Sequence, residues 1–380
     1  MLNVFIEPAR RVHGGPDHRG PARYDFSTNS NACAPCPAAQ DAVRQADAGR
    51  YPDAGYTALR RQLADFHGVD GARVVLAASA SEFIFRITAL AAQTPHTHTA
   101  QVADEGSGSG MGEGEGGAVW LPPHSYGDYA QAARAHRLAR AADPAQARLR
   151  WACEPSSPLG AAQAGLGALA DHHAGPAWLV LDRAYEPLRL SGAPSLNAAQ
   201  LQAVWQLFTP NKALGLTGVR AAYAIAPAGA DAAVAALEQL CPSWPLGAHG
   251  VALLQAWTEP GVQAWLAGSL DTLRGWKARQ VALCESLGWR CLPSDANFFC
   301  ARPALPDGLS LQQALARLRG QGIQLRDTAS FGLPGHARLS VQPPAAQDAL
   351  AAAWHGLEAA TSPGWPPQAH SPHLINPGNV

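Results

Sequence analysis

The sequence is poor in lysine. Across its 380 residues positive charge is carried almost entirely by arginine, and Lys212 and Lys277 are the two lysines. Arginine stays protonated and is a poor nucleophile, whereas a desolvated lysine amine can lose its proton and attack a carbonyl group. Lys212 lies in a loop broken by glycine and proline, between apolar runs at 204–208 and 221–226 that predict buried strands. It is therefore a candidate nucleophile, with a solvated loop lysine as the alternative.

The sequence also lacks long apolar runs and an excess of charge of one sign. No run approaches the roughly 18 residues of a membrane-spanning helix. The formal net charge is −1, without a basic stripe, which argues against nucleic acid and acidic membranes as partners. The first 15 residues lack the charged start and long apolar core of a secretory signal. We therefore expect a cytoplasmic protein that binds neither nucleic acid nor membrane.

Cysteines are few, and their spacing does not suggest a set of disulfide pairs. The seven cysteines are scattered and odd in number, which fits a reducing compartment better than a disulfide framework. Cys33 and Cys36 form a C-x-x-C motif, but no second pair follows at the spacing of a zinc site. A structural role is the main interpretation of this pair, a redox role stays open, and no metal site is predicted.

Predicted strands and helices alternate along the chain, and several of the strands are apolar on both faces. This pattern indicates an α/β fold with a mostly parallel sheet covered by helices. Ligands of such sheets bind beyond the carboxyl ends of the strands. Five polar groups each follow a predicted strand, namely Ser79, Tyr126, Ser157, Asp182 and Lys212. The sequence therefore predicts one site at one edge of the sheet.

The length favours one large and one small domain. We expect residues 1–36 to form an N-terminal arm and part of the small domain, and 37–285 to form the large domain. Residues 286–361 are expected to form the small α+β domain, with strands at 289–292, 297–300, 323–326 and 338–341. Residues 94–117 are glycine-rich, without the G-K-[ST] of a phosphate-binding loop, and predict a disordered insertion. The proline-rich residues 362–380 predict a disordered tail.

The segment around Lys212 is similar to the cofactor-lysine loop of the fold-type I pyridoxal-phosphate (PLP) enzymes of the class I/II aminotransferase family. The family pattern is roughly S-x-[ST]-K, a glycine-rich turn, then G-[LV]-R-x-G-Y. The matching positions are Thr209, Lys212, Gly218, Val219, Arg220 and Tyr223. The segment departs from the pattern at Pro210-Asn211, before the lysine, and at Ala222, where the family has glycine.

This resemblance implies a fold-type I fold, in which helices sandwich a mostly parallel seven-stranded sheet and a small α+β domain follows. It implies PLP as the cofactor, Lys212 as the Schiff-base lysine and proton carrier, and Asp182 as the partner of the pyridine nitrogen. Tyr185 would donate to the ring hydroxyl, and Tyr126 would stack on the ring. Ser157 stands where the family has an asparagine that binds the ring oxygen.

The resemblance also implies a phosphate cup and a second subunit. The cup would consist of Ser79, Ala80, Ser81, Thr209 and Arg220. Tyr51 is similar to the tyrosine that reaches the cofactor phosphate of the neighbouring subunit, which implies a homodimer. Arg183 stands where the family usually has glutamate, a position that does not touch the cofactor in the family pattern.

The chain has an H-G-G motif at His13-Gly14-Gly15, a D-F-S-x-N motif at 25–29, and the arginines Arg326 and Arg338. These features are most similar to the histidinol-phosphate aminotransferase and threonine-phosphate decarboxylase group of the family. This resemblance implies a set of substrate-binding residues: His13, Gly14, Gly15, Asn29, Arg326 and Arg338. We expect an enzyme that acts on a small, phosphorylated amino acid, with an L-threonine-O-3-phosphate decarboxylase of cobalamin biosynthesis as the first hypothesis. A histidinol-phosphate or aromatic transaminase is the alternative, and a non-catalytic PLP-fold binding protein is the second. The pose of the bound substrate, not the fold, selects between these reactions.

Overall fold

The computed structural model describes most of the chain, residues 13–33, 35–93, 117–171 and 177–361. The predicted insertion, apart from its last residue, and the predicted C-terminal tail lie outside the described residues. Within the described ranges, no helix is both long enough and apolar enough to cross a membrane.

Strands and helices alternate along the described chain. The strands are β1 Tyr24–Asp25, β2 Val74–Ala77, β3 Ala118–Trp120, β4 Ala139–Arg140, β5 Leu149–Cys153, β6 Trp178–Asp182, β7 Trp205–Phe208, β8 Ala222–Ile225, β9 Arg290–Cys291, β10 Phe298–Arg302, β11 Ile323–Gln324, β12 Arg326–Asp327 and β13 Ala337–Ser340. The helices are α1 Pro37–Arg44, α2 Thr57–His67, α3 Ala80–Gln93, α4 Gly127–Ala135, α5 Leu166–Asp171, α6 Ala198–Ala203, α7 Asp231–Gln239, α8 Ala248–Trp257, α9 Pro260–Ser286, α10 Leu311–Gly320 and α11 Pro344–Thr361.

A seven-stranded sheet with the order β2-β8-β7-β6-β5-β3-β4 forms the centre of the fold. β8 runs antiparallel to both of its neighbours, whereas the pairs from β7 to β4 are parallel. The prediction of a mostly parallel seven-stranded sheet is therefore confirmed. Cys153 pairs with Asp182, and Asp182 pairs with Leu207. This register brings the carboxyl ends of β5, β6 and β7 to one edge.

Two apolar cores cover the large sheet. One contains side chains of α1, α2, α8 and α9, and the other contains side chains of α3, α4 and α7. β5 and β7 are buried along their whole length and contribute the fully buried Trp151 and Trp205. Burial of a large apolar side chain stabilises a fold by about 1.5–3 kcal/mol. This burial on both faces explains why apolar residues dominate these strands, in which Arg150 and Gln206 are the polar exceptions.

The C-terminal part has its own sheet, β12-β13-β10-β9, and its own core. Phe26, from the N-terminal segment, is fully buried in that core. The prediction of one strand at 323–326 is wrong, because two short strands of different sheets occupy this segment. β11 pairs with β1, whereas β12 pairs with β13. The proposed domain boundaries stay predictions.

The C-x-x-C cysteines lie at the edge of the core beneath α1. Cys36 is buried, and the partly buried Cys33 Sγ lies 3.6 Å from the Ser269 carbonyl oxygen. Every cysteine is a free thiol, and the described residues hold no group of three or more metal-binding side chains. The redox hypothesis for this pair stays open.

Candidate active site

A cavity of about 1160 Å³ lies beyond the carboxyl ends of β5, β6 and β7. Its lining contains every site residue predicted from the sequence except Tyr51. These lining residues are His13, Gly14, Gly15, Asn29, Ser79, Ala80, Ser81, Tyr126, Ser157, Asp182, Tyr185, Thr209, Lys212, Arg220, Arg326 and Arg338. The strand-end rule therefore located the cavity correctly.

Lys212 is presented to the cavity by the loop that follows β7. Its Nζ lies 3.4 Å from Thr209 Oγ1 and 5.5 Å from the centre of the Tyr185 ring. The loop is fixed from behind, because the Asn31 backbone N–H donates to the Lys212 carbonyl at 2.9 Å and the Asn31 side chain donates to the Ala213 carbonyl at 3.0 Å. The amine is thus aimed by a backbone that is held at two adjacent residues.

Asp182 ends β6 and is 5% exposed. Its Oδ1 accepts a hydrogen bond from the Ala184 backbone N–H at 2.9 Å, and its Oδ2 accepts one from the Tyr129 hydroxyl at 2.6 Å. Burial raises the pKa of Asp182, while these two donors and the Lys212 charge oppose the rise. A cationic group in the cavity would favour the ionised carboxylate further.

Tyr129 was missed by sequence reasoning, although it contacts Asp182 directly. Its ring stacks on Trp151, with centroids 4.3 Å apart and planes at 10°. Tyr126 is the N-cap of α4 and Tyr129 lies three positions further along, in its first turn, with the two rings edge to face at 5.8 Å. This Y-x-x-Y spacing is the signal that could have found Tyr129.

Three polar side chains surround the space between Lys212 and Asp182. The Tyr126 hydroxyl lies 3.3 Å from Ser81 Oγ. The ring of Tyr185 packs edge-on against Phe298, with centroids 4.7 Å apart. The buried Ser157 accepts a hydrogen bond from Arg338 Nη1 at 3.5 Å. Two aromatic rings and a hydroxyl thus shape a slot for a flat, polar ring.

The N-terminus of α3 faces the same cavity. Ser79 Oγ caps the helix by accepting from the Glu82 backbone N–H at 3.1 Å, and Glu82 in turn accepts from the Ala78 N–H at 3.2 Å. The free N–H groups and the dipole of a helix N-terminus favour an anion. Arg220 and Thr209 line the cavity from the Lys212 loop and β7. This arrangement can hold a phosphate.

Two arginines from the small sheet lie at the other end of the cavity. Arg338 donates to the Ser27 carbonyl at 3.0 Å, and Arg326 donates to Ser330 Oγ at 2.7 Å. Both guanidinium groups lie over the Phe331 ring, at 5.4 and 4.9 Å from its centroid. Burial and then the charge of Arg338 lower the pKa of Arg326 to about 10. Two buried cations that repel each other form a strong anion site.

Asn29 and the His13-Gly14-Gly15 segment close this end of the cavity. The Asn29 side chain is 3% exposed, and neither of its polar atoms has a hydrogen-bond partner among the described residues. Gly15 N–H donates to Ser27 Oγ at 2.8 Å, and a Cβ at position 14 would lie 2.1 Å from the Ser27 carbonyl oxygen. The glycines therefore allow a close approach. The structure thus packs this segment against Ser27, beside the cavity.

Comparison with known sequences identifies the family. The sequence model of "Aminotransferase class I and II" matches residues 133–353. The chain belongs to this family. It is therefore a PLP-dependent enzyme of the aminotransferase class, and the family and cofactor implied by the Lys212 segment are confirmed.

Curated relatives of this aminotransferase include two histidinol-phosphate aminotransferases. That of Roseobacter denitrificans is 27% identical over 327 residues, 84% of this chain and 87% of the relative. That of Haloquadratum walsbyi is 27% identical over 372 residues, 94% of this chain and 92% of the relative.

Two solved structures have a similar fold. Histidinol-phosphate aminotransferase of Sinorhizobium meliloti, in complex with pyridoxal-5'-phosphate, has a TM-score of 0.70 at 21% identity and covers 91% of this chain and 93% of its own. L-threonine-O-3-phosphate decarboxylase of Porphyromonas gingivalis has a TM-score of 0.68 at 19% identity and covers 87% of this chain and 98% of its own.

The cavity of this aminotransferase fits PLP. The cofactor requires an amine, an acid for its ring nitrogen, a stacking ring and a phosphate cup. Lys212, Asp182, Tyr126 and the N-terminus of α3 have these properties and line one cavity. The buried Asp182, whose pKa is raised by burial, is suited to a cationic ring nitrogen.

Two departures from the family pattern have a structural explanation. Asn211 Nδ2 donates to the carbonyls of Thr217 and Val219, at 3.4 and 3.2 Å, so it clamps the loop that leads to Arg220. Arg183 is not among the residues that line the cavity. It donates to Gln206 Oε1 at 2.7 Å and lies over the Phe208 ring. Asn211 thus fixes the loop that carries Arg220, whereas Arg183 lies outside the cavity lining.

Tyr51 is the one predicted site residue that the chain does not bring to its own cavity. Its side chain is 79% exposed and stacks on Trp244, with centroids 4.5 Å apart. Trp244 Nε1 donates to the Pro52 carbonyl at 3.0 Å, which fixes this aromatic pair on the surface. A contribution of Tyr51 to the cavity of a second subunit stays a prediction.

Proposed function

We propose that this aminotransferase transfers the amino group of histidinol phosphate, or a similar small phosphorylated amine, to a 2-oxo acid. The observation that carries the proposal is the pair of buried arginines, Arg326 and Arg338, at the end of the cavity that also contains the unpartnered amide of Asn29. A phosphate dianion would balance two guanidinium charges that otherwise repel each other. The names of the curated relatives support the same substrate.

In this proposal some residues of the cavity bind the cofactor and one residue transfers protons. PLP, when bound, supplies an electron sink for negative charge that develops at the substrate carbon. Lys212 Nζ holds the cofactor aldehyde and then carries the proton that leaves and returns at the substrate carbon. Asp182 keeps the pyridine nitrogen protonated. Tyr185 and Ser157 donate towards the ring oxygen, and Tyr126 covers the ring face.

Binding at the two ends of the cavity orients the substrate. The N-terminus of α3, Thr209 and Arg220 hold the cofactor phosphate. Arg326, Arg338 and Asn29 hold the substrate anion, and the His13-Gly14-Gly15 segment lines the same end of the cavity. Fixing both ends would hold the bond that must break in a single orientation, and this positioning is what orientation contributes to catalysis.

We also propose that the enzyme is a homodimer in which Tyr51 completes the phosphate cup of the partner. The exposure of the Tyr51 ring and its fixed stacking on Trp244 support this. A large aromatic pair on the surface of a chain is typical of an interface.

A second candidate is decarboxylation of L-threonine O-3-phosphate, the first hypothesis from the sequence. The packed His13-Gly14-Gly15 segment and the similar fold of the Porphyromonas gingivalis enzyme favour it. The curated relatives favour amino transfer instead, so we rank decarboxylation second. Family membership gives no support to the non-catalytic alternative.

Product analysis tests these proposals. Purified enzyme is incubated with histidinol phosphate and 2-oxoglutarate, and glutamate is measured; a parallel sample receives threonine phosphate, and CO2 is measured. Glutamate without CO2 supports amino transfer, whereas CO2 without glutamate would replace it with decarboxylation. Lys212→Ala should abolish turnover and the absorbance of bound cofactor, whereas Lys277→Arg should retain both. An active Lys212→Ala enzyme would refute the assignment of the catalytic lysine.

A further inference from the structure

Tyr129 contacts Asp182 but is not itself part of the cavity lining. Its side chain is fully buried. Its hydroxyl donates to Asp182 Oδ2 at 2.6 Å, while Oδ1 accepts from the Ala184 N–H. A bond this short between a phenol and a carboxylate is typical of a charge-assisted hydrogen bond. Each Asp182 oxygen therefore has one protein donor.

The position of the Tyr129 hydroxyl is fixed by packing on two sides. Its ring stacks on Trp151 and meets the Tyr126 ring edge to face, at 5.8 Å and 85°. Its backbone N–H donates to the Tyr126 carbonyl at 3.2 Å, within the first turn of α4. One helix turn thus carries both the ring that faces the cavity and the donor that reaches Asp182.

Asp182 needs such a donor because it is buried. Burial disfavours a carboxylate by several kcal/mol unless donors or cations compensate. The Tyr129 proton stays on the phenol, because burial and the neighbouring Asp182 charge raise the pKa of Tyr129 well above its usual value. Tyr129 is consequently a permanent donor, and Asp182 is the member of the pair that carries the charge.

We propose that Tyr129 is a positioning residue that keeps Asp182 ionised and orients it towards the ring nitrogen of the cofactor. This inference rests on the proposed role of Asp182. It predicts that Tyr129 contributes to the recognition of the ring nitrogen alone, and leaves the phosphate and aldehyde contacts unaffected.

The test compares PLP with its 1-deaza analogue, in which a C–H group replaces the ring nitrogen and the aldehyde and phosphate are unchanged. Dissociation constants of both are measured for the wild type and for Tyr129→Phe, which keeps the stacked ring. We expect the wild type to prefer PLP and Tyr129→Phe to reduce that preference by roughly tenfold to a hundredfold, as for loss of a hydrogen bond to a charged group. A purely structural role would weaken both ligands equally.

Tyr223→Phe is the matched control. The Tyr223 hydroxyl is equally buried and accepts from Trp257 Nε1 at 3.0 Å, but it lies in the other core, next to His67. This variant should keep the wild-type preference for PLP. Tyr129→His retains an N–H donor and should show a preference for PLP between those of the wild type and Tyr129→Phe. It replaces Tyr129→Phe in the test if that variant does not fold.

Asp182→Asn distinguishes a failure of the proposed role of Asp182 from a failure of the proposed role of Tyr129. If the wild type does not prefer PLP over the analogue, and Asp182→Asn changes neither affinity, the assigned role of Asp182 fails. If Asp182→Asn abolishes the preference while Tyr129→Phe retains it, the inference about Tyr129 alone is overturned. If Tyr129 acts through Asp182, adding Tyr129→Phe to Asp182→Asn should leave the preference unchanged.

Discussion

The two lysines differ in their surroundings. Lys277 Nζ donates to the carbonyls of Ser294 and Ala296, the latter at 2.8 Å, and so joins α9 to the segment before β10. Burial lowers the pKa of Lys277 to about 8. The Lys277 amine faces two carbonyls, whereas Lys212 faces the cavity.

We predict that borohydride reduction of the PLP-bound enzyme attaches one pyridoxyl group to Lys212 and none to Lys277. The reason is access, because the carbonyl acceptors of Lys277 hold its amine against α9. Peptide mass spectrometry after reduction locates the modification. Lys277→Arg should give the same modified peptide as the wild type. A pyridoxyl group on Lys277 in the folded enzyme would show that access does not decide the site.

His67 should make stability depend on pH. Its Nε2 lies 2.8 Å from the Tyr223 hydroxyl, and burial followed by the Arg183 charge lowers the pKa of His67 from 6.5 to about 4. The unfolded chain therefore binds a proton that the folded chain excludes. Stability from this residue is complete above pH 6.5 and falls as pH decreases towards 4, by roughly 3 kcal/mol at most.

Urea unfolding at several pH values measures this effect. His67→Phe should unfold with a flatter dependence on pH between 6.5 and 4 than the wild type. The exposed His249 provides a control, because His249→Gln should leave the wild-type dependence intact. An identical pH dependence in His67→Phe and the wild type would show that His67 is not responsible.

Some cavity residues could be predicted from the sequence because they come directly after apolar strands. Asp182, Lys212 and Ser79 each follow an apolar strand, so their meeting at one sheet edge follows from the topology. The bond of Tyr129 to Asp182 joins α4 to β6 across 53 positions. No local pattern encodes the distance between those two side chains, because it depends on how α4 packs against Trp151.

At the scale of elements, the N-terminus of α3 offers a way to separate stability from cofactor binding. Ser79→Asp keeps a good helix cap and adds a charge that the helix dipole favours. The same charge would repel the cofactor phosphate. We therefore expect the melting temperature of the cofactor-free protein to stay equal or rise, while PLP affinity falls at least about tenfold.

Ser310→Asp is the matched control for this variant. Ser310 Oγ caps α10 in the same way, by accepting from the Gln313 N–H at 3.2 Å, and Ser310 does not line the cavity. Thermal melting and titration with PLP compare the two variants. Unchanged PLP affinity in Ser79→Asp would mean that the phosphate binds elsewhere.

Arg189 is at the centre of a buried charge cluster with three carboxylates. Its Nη2 bonds Glu154 at 3.1 Å and Glu186 at 2.8 Å, and its Nη1 lies 4.0 Å from Asp295. Glu154 is almost fully buried and belongs to the segment that carries Ser157. Removal of one partner of a buried ion pair leaves the other charge uncompensated and typically costs about 3–5 kcal/mol.

We predict that Arg189→Met destabilises the enzyme by about 3–5 kcal/mol in urea unfolding. Arg44→Met is the control, since Arg44 pairs with Asp41 at 3.5 Å on the exposed surface. An exposed pair contributes less than about 1 kcal/mol. Equal effects of the two substitutions would contradict the role of the cluster.

Element prediction succeeded where one physical cause dominates. β7 lies within the strand predicted at 204–208, because burial on both faces makes that segment mostly apolar. The segment 323–326 was predicted as one strand, but its residues pair with two strands that lie far apart in the sequence, β1 and β13. Strand pairing of this kind depends on tertiary packing, so it could not be inferred from the run itself.

At the scale of the molecule, the segment from Tyr24 to Asn31 joins the two sheets. β1 pairs with β11, and Phe26 fills the core of the C-terminal part. Ser27 accepts from Arg338, and Asn31 holds the Lys212 loop. The segment therefore links the arginine end of the cavity to the loop that carries Lys212.

The proposed homodimer makes a prediction that two defective subunits can test together. Lys212→Ala damages the cavity of its own subunit, whereas Tyr51→Ala damages the cavity of its partner, because Tyr51 is exposed and does not line its own cavity. A mixed dimer then has one cavity with both defects and one with none. Random exchange of equal amounts makes half of the dimers mixed, so roughly a quarter of the cavities should be intact.

Turnover of the mixture, compared with each variant alone, measures this complementation. Subunits with different affinity tags allow mixed dimers to be isolated, and an isolated mixed dimer should reach roughly half of the wild-type activity per subunit. A chain that carries both substitutions is the informative control. When this chain exchanges with wild-type subunits, each cavity of the mixed dimer has one defect. Isolated mixed dimers of the two single variants that stay inactive would place Tyr51 outside the partner's cavity, and the exposed Tyr51–Trp244 pair would then have another purpose.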